Sequence, residues 1–469
     1  GYAGQAEDFD TSHLPKLLGS SNAGTEFFLT FHPAYTVAGE HNFIKIYISS
    51  GVETEVKLEV PGKGYIKRQM TVPNDIIEFT LTPAVAQCYI KATDEIPQPE
   101  KVWEGAAIHI TAKDPIIVYG VIRYQTTSDG FLAIPVSSLG KEYIVASWPD
   151  PFGGDSENKL PSFTSIIAAY DKSTARIKFG GEDWTETAGG KVPGQTSLFL
   201  MNPADVVCIG TVSKHGDLTG SKINGNKPIG VISGNYCAFI PTGVWHCDVL
   251  IEMELPTNTW GTEYHVTPIY GRSKNSFVRI FSKESNTKLY RDGQPLGFIP
   301  SSGGLHGEGW TEFRADEGDQ RPVVISGDKA ISVTQYNTGR NDDNTDNTDP
   351  FQMVLTPFEQ YQEEIVFNTP GISDGFGFDQ NFINIVYEAT EQGTIPDDLM
   401  FAEVKDGVPE WERLNFSNSY PGKELAVVVN NKRYFSKTIR LSHEGVYKIK
   451  ADAPFAAYAY GNTMNDTYG

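Results

Sequence analysis

The residues best suited to hold a metal ion lie at positions 341–349, which read NDDNTDNTD. Every side chain in this stretch carries oxygen, and Ca²⁺ prefers hard oxygen ligands. The sequence therefore allows a Ca²⁺ site formed by Asp342, Asp343, Asp346 and Asp349. The glycine and the closing glutamate of an EF-hand loop are absent. The alternative, which such charged runs favour, is a solvated loop that lengthens a turn.

No pattern in the sequence predicts catalysis. The nucleophile elbow Gly-x-Ser-x-Gly, the zinc motif His-Glu-x-x-His and the phosphate loop are all absent. Residues 230–234 read GVISG, but this segment belongs to a repeated strand and resembles an elbow only superficially. We therefore predict a protein that is not an enzyme. A glycan-active enzyme is a distant alternative, because glycoside hydrolysis needs only two facing carboxylates.

Aromatic residues in loops are the remaining candidates for a binding site. Tyr and Trp suit recognition because they offer rigid area that is both apolar and polar. Residues 148–154 read WPDPFGG, and their proline and glycine residues hold the loop outside the strands. We predict that Trp148 and Phe152 contact a ligand there. The other tryptophans more simply pack in cores or between units.

A repeated set of strands must position these candidates. Residues 114–148 read as three strands joined by turns rich in Gly, Ser and Asp. Related segments follow later in the chain. Equivalent strands begin about 110 residues apart, a spacing that indicates an internal repeat. These strands start at Phe43, Ser165, Ser276 and Asn381.

This spacing predicts an all-β fold of four tandem antiparallel β repeats. We place the repeats at residues 1–128, 129–247, 248–348 and 349–469, within one continuous assembly. The first and last segments of the chain correspond to the same part of the repeat unit. This match favours a β-propeller-like closed ring, because the last strand could then complete the first unit. In such a ring, strands near the N-terminus would pair with residues 454–460. Packed β-sandwiches are the alternative arrangement.

Composition limits the class of function. The chain has 59 acidic and 38 basic side chains, giving a net charge of −21. This charge opposes nucleic-acid binding, which needs a cationic surface. No apolar run approaches the length of about 18 residues that a membrane span requires.

Several segments, taken in their order along the chain, resemble the IgG-Fc-binding protein N-terminal domain family. They read DPIIVYGVIRYQTTSDGFLAIPVSSLGKEYIV, DLTGSKI, KPIGVISGNYC and HCDVLIEMELPTNTWGTEYHV. The resemblance implies an extracellular module without catalytic residues, of the kind found in animal mucus proteins and bacterial surface proteins. Antibody binding by one kind of member does not transfer automatically. The run EMELP at 252–256 departs from the usual Gln-Leu-Pro of the family.

The function that we predict is therefore binding or adhesion, by a secreted or cell-surface protein without a cofactor other than Ca²⁺. Its partner would be a protein or glycan ligand. The runner-up is a structural protein, a subunit that assembles with copies of itself into an extracellular filament or sheath.

Cysteine spacing predicts one disulfide. Cys237 and Cys247 flank a turn-like segment, and members of the resembled family tend to place cysteines here. An oxidising compartment favours the bond, and the alternative is a pair of reduced, partly buried thiols. We expect Cys88 and Cys208 to stay free and buried.

Overall fold

Four antiparallel β-sheets follow one another along the chain and account for most of its regular structure. The structure, a computed structural model, describes residues 22–35, 41–90, 94–154, 157–299, 309–316, 321–346, 348–370, 378, 380–414, 424–429, 431–463 and 466–469. The predicted all-β fold with four tandem antiparallel repeats is confirmed.

The first sheet contains seven strands in the described residues: β1 (Gly24–Leu29), β2 (Phe43–Ser49), β3 (Glu55–Val60), β4 (Tyr65–Met70), β5 (Ile76–Leu81), β7 (Ile108–Arg123) and β8 (Ser128–Leu132). The second contains eight: β6 (Val102–Trp103), β9 (Gly140–Ile144), β10 (Ser162–Ala168), β11 (Ser173–Lys178), β12 (Thr196–Met201), β13 (Val206–Gly210), β14 (Lys222–Ala238) and β15 (Asp248–Met253).

The third sheet contains seven described strands: β16 (Gly261–Val266), β17 (Phe277–Ser282), β18 (Thr287–Arg291), β19 (Gln294–Ile299), β20 (Trp310–Arg314), β21 (Val323–Tyr336) and β22 (Gln352–Val354). The fourth contains eight: β23 (Gln362–Asn368), β24 (Gln380–Glu388), β25 (Met400–Lys405), β26 (Val408–Arg413), β27 (Glu424–Val429), β28 (Lys432–Leu441), β29 (Val446–Thr463) and β30 (Asp466–Tyr468). Helices are short: α1 (Pro83–Ala86) and 3-10 turns at Pro61–Lys63, Val136–Ser138, Thr257–Thr259, Arg340–Asp342 and Phe358–Gln360.

Each sheet is organised around one long strand, β7, β14, β21 or β29, of 14 to 18 residues. In β14 the first half pairs with β9 and β11, and the second half pairs with β10. The register against β9 shifts between Asn224 and Ile229, where Pro228 removes a backbone donor. The other long strands shift register at the equivalent place. The shift bends the strand, so each sheet folds over its own core.

Alternating side chains fill these cores. In β3, Val56, Leu58 and Val60 point inward while the residues between them are exposed or half-buried. Two of the sheets curl into nearly closed barrels and two form half-barrels. The alternative arrangement, packed β-sandwiches, therefore describes the units better than pairs of propeller blades.

The four units contact one another in cyclic order. The first and second share one hydrophobic core, and the third and fourth share another. The second meets the third around Trp148 and Tyr336. The fourth meets the first where Val366 and Val446 pack against Ile117. These contacts close a ring through side chains.

Strand β1 does not form the predicted pairing with residues 454–460. That strand pairs with β7, while residues 456–460 pair with β24. Residues 1–21 lie outside the described part of the chain. The predicted repeat boundaries fall close to the starts of β8, β15 and β22, and the division into these four ranges stays a prediction.

We call β8, β15, β22 and β30 the inner strands, because they meet at the centre of the ring. The carboxylate of Asp129 on β8 accepts hydrogen bonds from the backbone N–H groups of Ile251 at 3.0 Å and Gly469 at 3.4 Å. It also accepts the N–H of Gln352. One side chain of the first unit thus contacts the backbones of the other three.

Two more carboxyl groups are buried beside this centre. Glu252 accepts the backbone N–H of Val354 at 3.2 Å, and Glu254 accepts that of Ala146 at 2.7 Å. Burial raises the pKa of Asp129 and of Glu252 well above the usual range. Burial likewise raises the pKa of Glu254 to about 8.

We expect the Glu254→Gln variant to lose part of the pH dependence of stability. A raised folded-state pKa contributes stability below the unfolded value of 4.5, and this stability is lost as pH rises toward about 8. Between pH 6.5 and 8 the wild type should lose about 2 kcal/mol more unfolding free energy than the variant. Above pH 6.5, His32 and His265 contribute little, because burial lowers their pKa values to about 4 and about 3.

Denaturant unfolding of both proteins at the two pH values gives this difference. The glutamine oxygen can still accept the N–H of Ala146, so the variant is expected to fold. If the unfolding free energy falls by the same amount in both proteins between pH 6.5 and 8, ionisation of Glu254 does not destabilise the fold, which would contradict the prediction.

Candidate ligand-binding cleft

A disulfide closes the loop between β14 and β15. The structure joins Cys237 to Cys247, the pair that the sequence predicts, with their Cα atoms 5.2 Å apart. Cys88 and Cys208 are free and buried. The bond therefore restrains a loop of nine residues that would otherwise sample many conformations.

This loop presents an aromatic side chain to solvent. Trp245 is 67% exposed. The loop turns through a hydrogen bond from the Val244 N–H to the Pro241 carbonyl at 3.0 Å, and Gly243 supplies the positive φ that the turn requires. The carbonyl of Ile240 accepts the N–H of Gly339 at 2.8 Å. That bond fixes the loop to the third unit.

A second loop, after β9, presents Phe152, which is 38% exposed. The buried carboxylate of Asp150 holds this loop. Its Oδ1 accepts the N–H groups of Phe152 at 2.8 Å and Gly153 at 3.0 Å, and its Oδ2 accepts that of Leu160 at 3.0 Å. Burial raises the pKa of Asp150 despite these bonds.

The two loops meet in a ladder of aromatic rings. Phe239 lies between Phe152 and Trp245, with ring centroids 5.7 and 5.6 Å away. Both contacts are edge-to-face, an arrangement that favours the quadrupoles of the rings. The ladder therefore holds two exposed aromatic side chains in fixed orientations.

We call the groove beside this ladder the aromatic cleft. It has a volume of about 680 Å³ and runs across three units of the ring. Tyr35 contributes from the first unit and is 44% exposed. The polar side includes Arg340, whose Nε lies 3.7 Å from Oδ1 of Asp349. The cleft thus combines apolar area with a charged edge, as protein-binding surfaces do.

The expected exposure of Trp148 is wrong. This residue is 2% exposed, and its Nε1–H donates to the Phe239 carbonyl at 2.9 Å. Its ring packs 5.0 Å from that of Tyr336. Trp148 therefore supports the cleft from below and cannot contact a ligand directly. Ligand contact by Phe152 stays a prediction.

Arginine neutralises two of the aspartates proposed for Ca²⁺. Asp342 accepts both terminal nitrogens of Arg314, at 2.9 and 3.0 Å, and Asp343 lies 2.9 Å from Arg272. Burial alone would raise the pKa of Asp342, but the arginine outweighs it and lowers that pKa. Asp346 is exposed.

Among the described residues, no three His, Cys, Asp or Glu side chains are arranged to hold a metal ion. Arginine thus takes the place that the sequence assigned to a cation. Ca²⁺ binding at these positions stays a prediction, and the observed contacts do not favour it.

Sequence reasoning missed Tyr35 and Trp245 as parts of the site. Trp245 lies two residues from the predicted disulfide and beside a Pro-Thr-Gly turn, and these two signals together predict an exposed position. Tyr35 gave no such signal, because its position depends on a residue distant in sequence: its N–H donates to the Tyr236 carbonyl at 3.2 Å, and its ring lies 6.3 Å from that of Tyr236.

The chain thus forms a ring of folded β-sheets with an aromatic cleft that is already formed in the free protein. Comparison with known proteins gives the family: the family model for IgGFc binding protein matches residues 129–461, so the chain belongs to this family. The human IgGFc-binding protein is 26% identical over 322 residues, which cover 68% of this chain and 5% of that protein. No solved structure matches the chain significantly. Within the described residues, no helix is long and apolar enough to cross a membrane.

We expect replacement of both Cys237 and Cys247 by serine to lower the free energy of unfolding by about 2–3 kcal/mol, the chain-entropy value for a loop of this size. Denaturant unfolding measures the change. A reducing agent should destabilise the wild type by a similar amount and leave the double variant unchanged. Free thiols at both positions in unreduced protein from the native source would contradict the bond.

Proposed function

We propose that this protein is an extracellular, non-enzymatic binding module that recognises a protein ligand through the aromatic cleft. The observation that carries the proposal is the exposure of Trp245 and Phe152 on loops that are each fixed independently. One loop is held by the disulfide and the other by the Asp150 carboxylate. Membership of a family described as binding proteins supports this class of function.

The energetics of association favour this surface. Large aromatic side chains dominate the affinity of protein interfaces, with Trp, Tyr and Arg most frequent among the critical residues. A surface that is already ordered loses little conformational entropy on binding. Trp245 and Phe152 keep much of their surface exposed in the free protein, and a bound partner would bury it.

An extracellular location is supported by the chemistry of the cleft. The disulfide would persist only in an oxidising compartment. The net charge of −21 keeps copies of the protein apart in solution by electrostatic repulsion. Adhesion to a cell surface, glycan recognition and assembly into filaments stay predictions.

The Fc region of immunoglobulin G is the first ligand to test, because the human relative is named for binding it. That relative is far longer than this chain, so its binding activity is transferred here only as a proposal.

We expect immobilised Fc fragment to bind the wild type, and the Trp245→Ala variant to bind at least about tenfold more weakly, as for a central interface tryptophan. Surface plasmon resonance measures both affinities. The matched control is Leu200→Ala, since Leu200 is 73% exposed on β12, outside the cleft, and should not change binding. Absence of binding would exclude Fc as the ligand. Binding that Trp245→Ala leaves unchanged would place recognition elsewhere.

A further inference from the structure

A second cavity lies between the second and third units, outside the aromatic cleft. Its volume is about 300 Å³, close to that of one large side chain with its hydration. The walls combine tryptophan, carboxylates and one buried guanidinium, and none of these residues lines the cleft. The residues that matter are Glu182, Trp184, Asp217, Arg279, Trp310 and Glu312.

Arg279 forms the floor of this cavity. It is 3% exposed, and its guanidinium lies 4.2 Å from the ring centroid of Trp148 and 4.7 Å from that of Trp310. Nη1 donates to the Ser147 carbonyl at 2.7 Å and to Thr219 Oγ1 at 2.7 Å. These bonds join the second unit to the third and make the floor rigid.

The carboxylates around Arg279 outnumber its single positive charge. Arg279 Nη1 donates to Asp217 Oδ2 at 2.9 Å, and Arg279 Nε donates to Glu312 Oε2 at 2.7 Å. Glu182 adds a further carboxylate at the rim. One guanidinium and three carboxylates leave the lining with an excess of negative charge. A cation entering the cavity would experience a favourable potential, and an anion would be repelled.

Trp184 forms an exposed aromatic wall. The residue is 55% exposed, yet its Nε1–H donates to the His215 carbonyl at 2.9 Å. The segment before it is held by a turn in which the Thr185 N–H donates to the Glu182 carbonyl at 2.8 Å. The indole is therefore fixed in orientation while one face stays open to solvent. A fixed, open indole face attracts cations through its quadrupole.

We propose that this cavity binds a basic side chain, arginine or lysine, presented by a protein partner. The indole of Trp184 would contact the cation, and the carboxylates of Glu182 and Glu312 would neutralise it. Charge complementarity favours this occupant over a neutral sugar, because the lining carries excess negative charge and the whole chain carries a net charge of −21. The inference does not depend on the aromatic cleft or on the ligand proposed for it.

The experiment uses blocked amino acids as probes. N-acetyl-arginine amide is titrated into the full chain, and binding is followed by the indole N–H signals in nuclear magnetic resonance spectra. We expect the Trp184 signal to move with saturation, and raising the salt from about 50 mM to about 500 mM to weaken binding severalfold. N-acetyl-citrulline amide has nearly the same shape without the charge and should leave the signal in place.

Variants assign the effect to this cavity. Glu182→Gln should weaken binding of the arginine probe at least threefold, and Trp184→Ala should abolish it, as read from the Trp310 signal. Both residues are exposed, and unchanged melting temperatures would show that the variants fold. Leu200→Ala, exposed on β12 and outside both this cavity and the aromatic cleft, is the matched control and should bind the probe as the wild type does.

Three results would overturn the proposal. The first is an equal response to arginine and citrulline, which would exclude charge recognition. The second is a response to N-acetylglucosamine without one to arginine, which would identify a sugar site. The third is no movement of the Trp184 signal with N-acetyl-arginine amide or with N-acetyl-lysine amide at high concentration.

Discussion

The hydrogen bonds accepted by the Asp129 carboxylate hold the centre of the ring. Its donors are backbone N–H groups of β15, β22 and the residue after β30, so one buried side chain satisfies polar groups from three other units. Buried backbone donors without partners are costly. The observed arrangement of the four units gives each of these donors an acceptor on Asp129.

Ring closure in turn creates the two binding surfaces. Residues of the first three units line the aromatic cleft. Residues of the second and third units line the second cavity, whose floor is Arg279. Neither surface exists on an isolated sandwich. Trp148 connects them, because its Nε1–H supports the Phe239 carbonyl of the cleft while its ring covers the guanidinium of Arg279.

The sequence predicts those features that depend on local pattern. Strand alternation and the spacing of repeats predict the all-β fold and the four units, and a short separation predicts the Cys237–Cys247 bond. The exposure of Trp148 was predicted wrongly, because its burial depends on Tyr336, far along the chain in the next unit. The acidic run at 341–349 was likewise predicted as a possible cation site because the residues that contact it are distant in sequence. Its partners Arg272 and Arg314 come from strands and loops distant in sequence.

Ring closure also explains why the propeller-like prediction succeeds in part. The four units do meet in a cycle, as the packing of Val366 against Ile117 shows. The sequence cannot tell whether a repeat of this length forms two flat blades or one folded sheet. That choice depends on the register shift of the long strand, as at Pro228 in β14, which turns one sheet back over itself.

Amide hydrogen exchange in the Asp129→Asn variant tests most directly whether the four units are held at one point. The asparagine amide puts an NH₂ group, with two N–H donors, where the backbone N–H groups need an acceptor. The account predicts that the amides of Ile251 and Gln352, together with those of β30, lose protection to a similar extent, while the β11–β12 hairpin exchanges as in the wild type. Loss of protection confined to β8, with the other inner strands unaffected, would contradict the central role of Asp129.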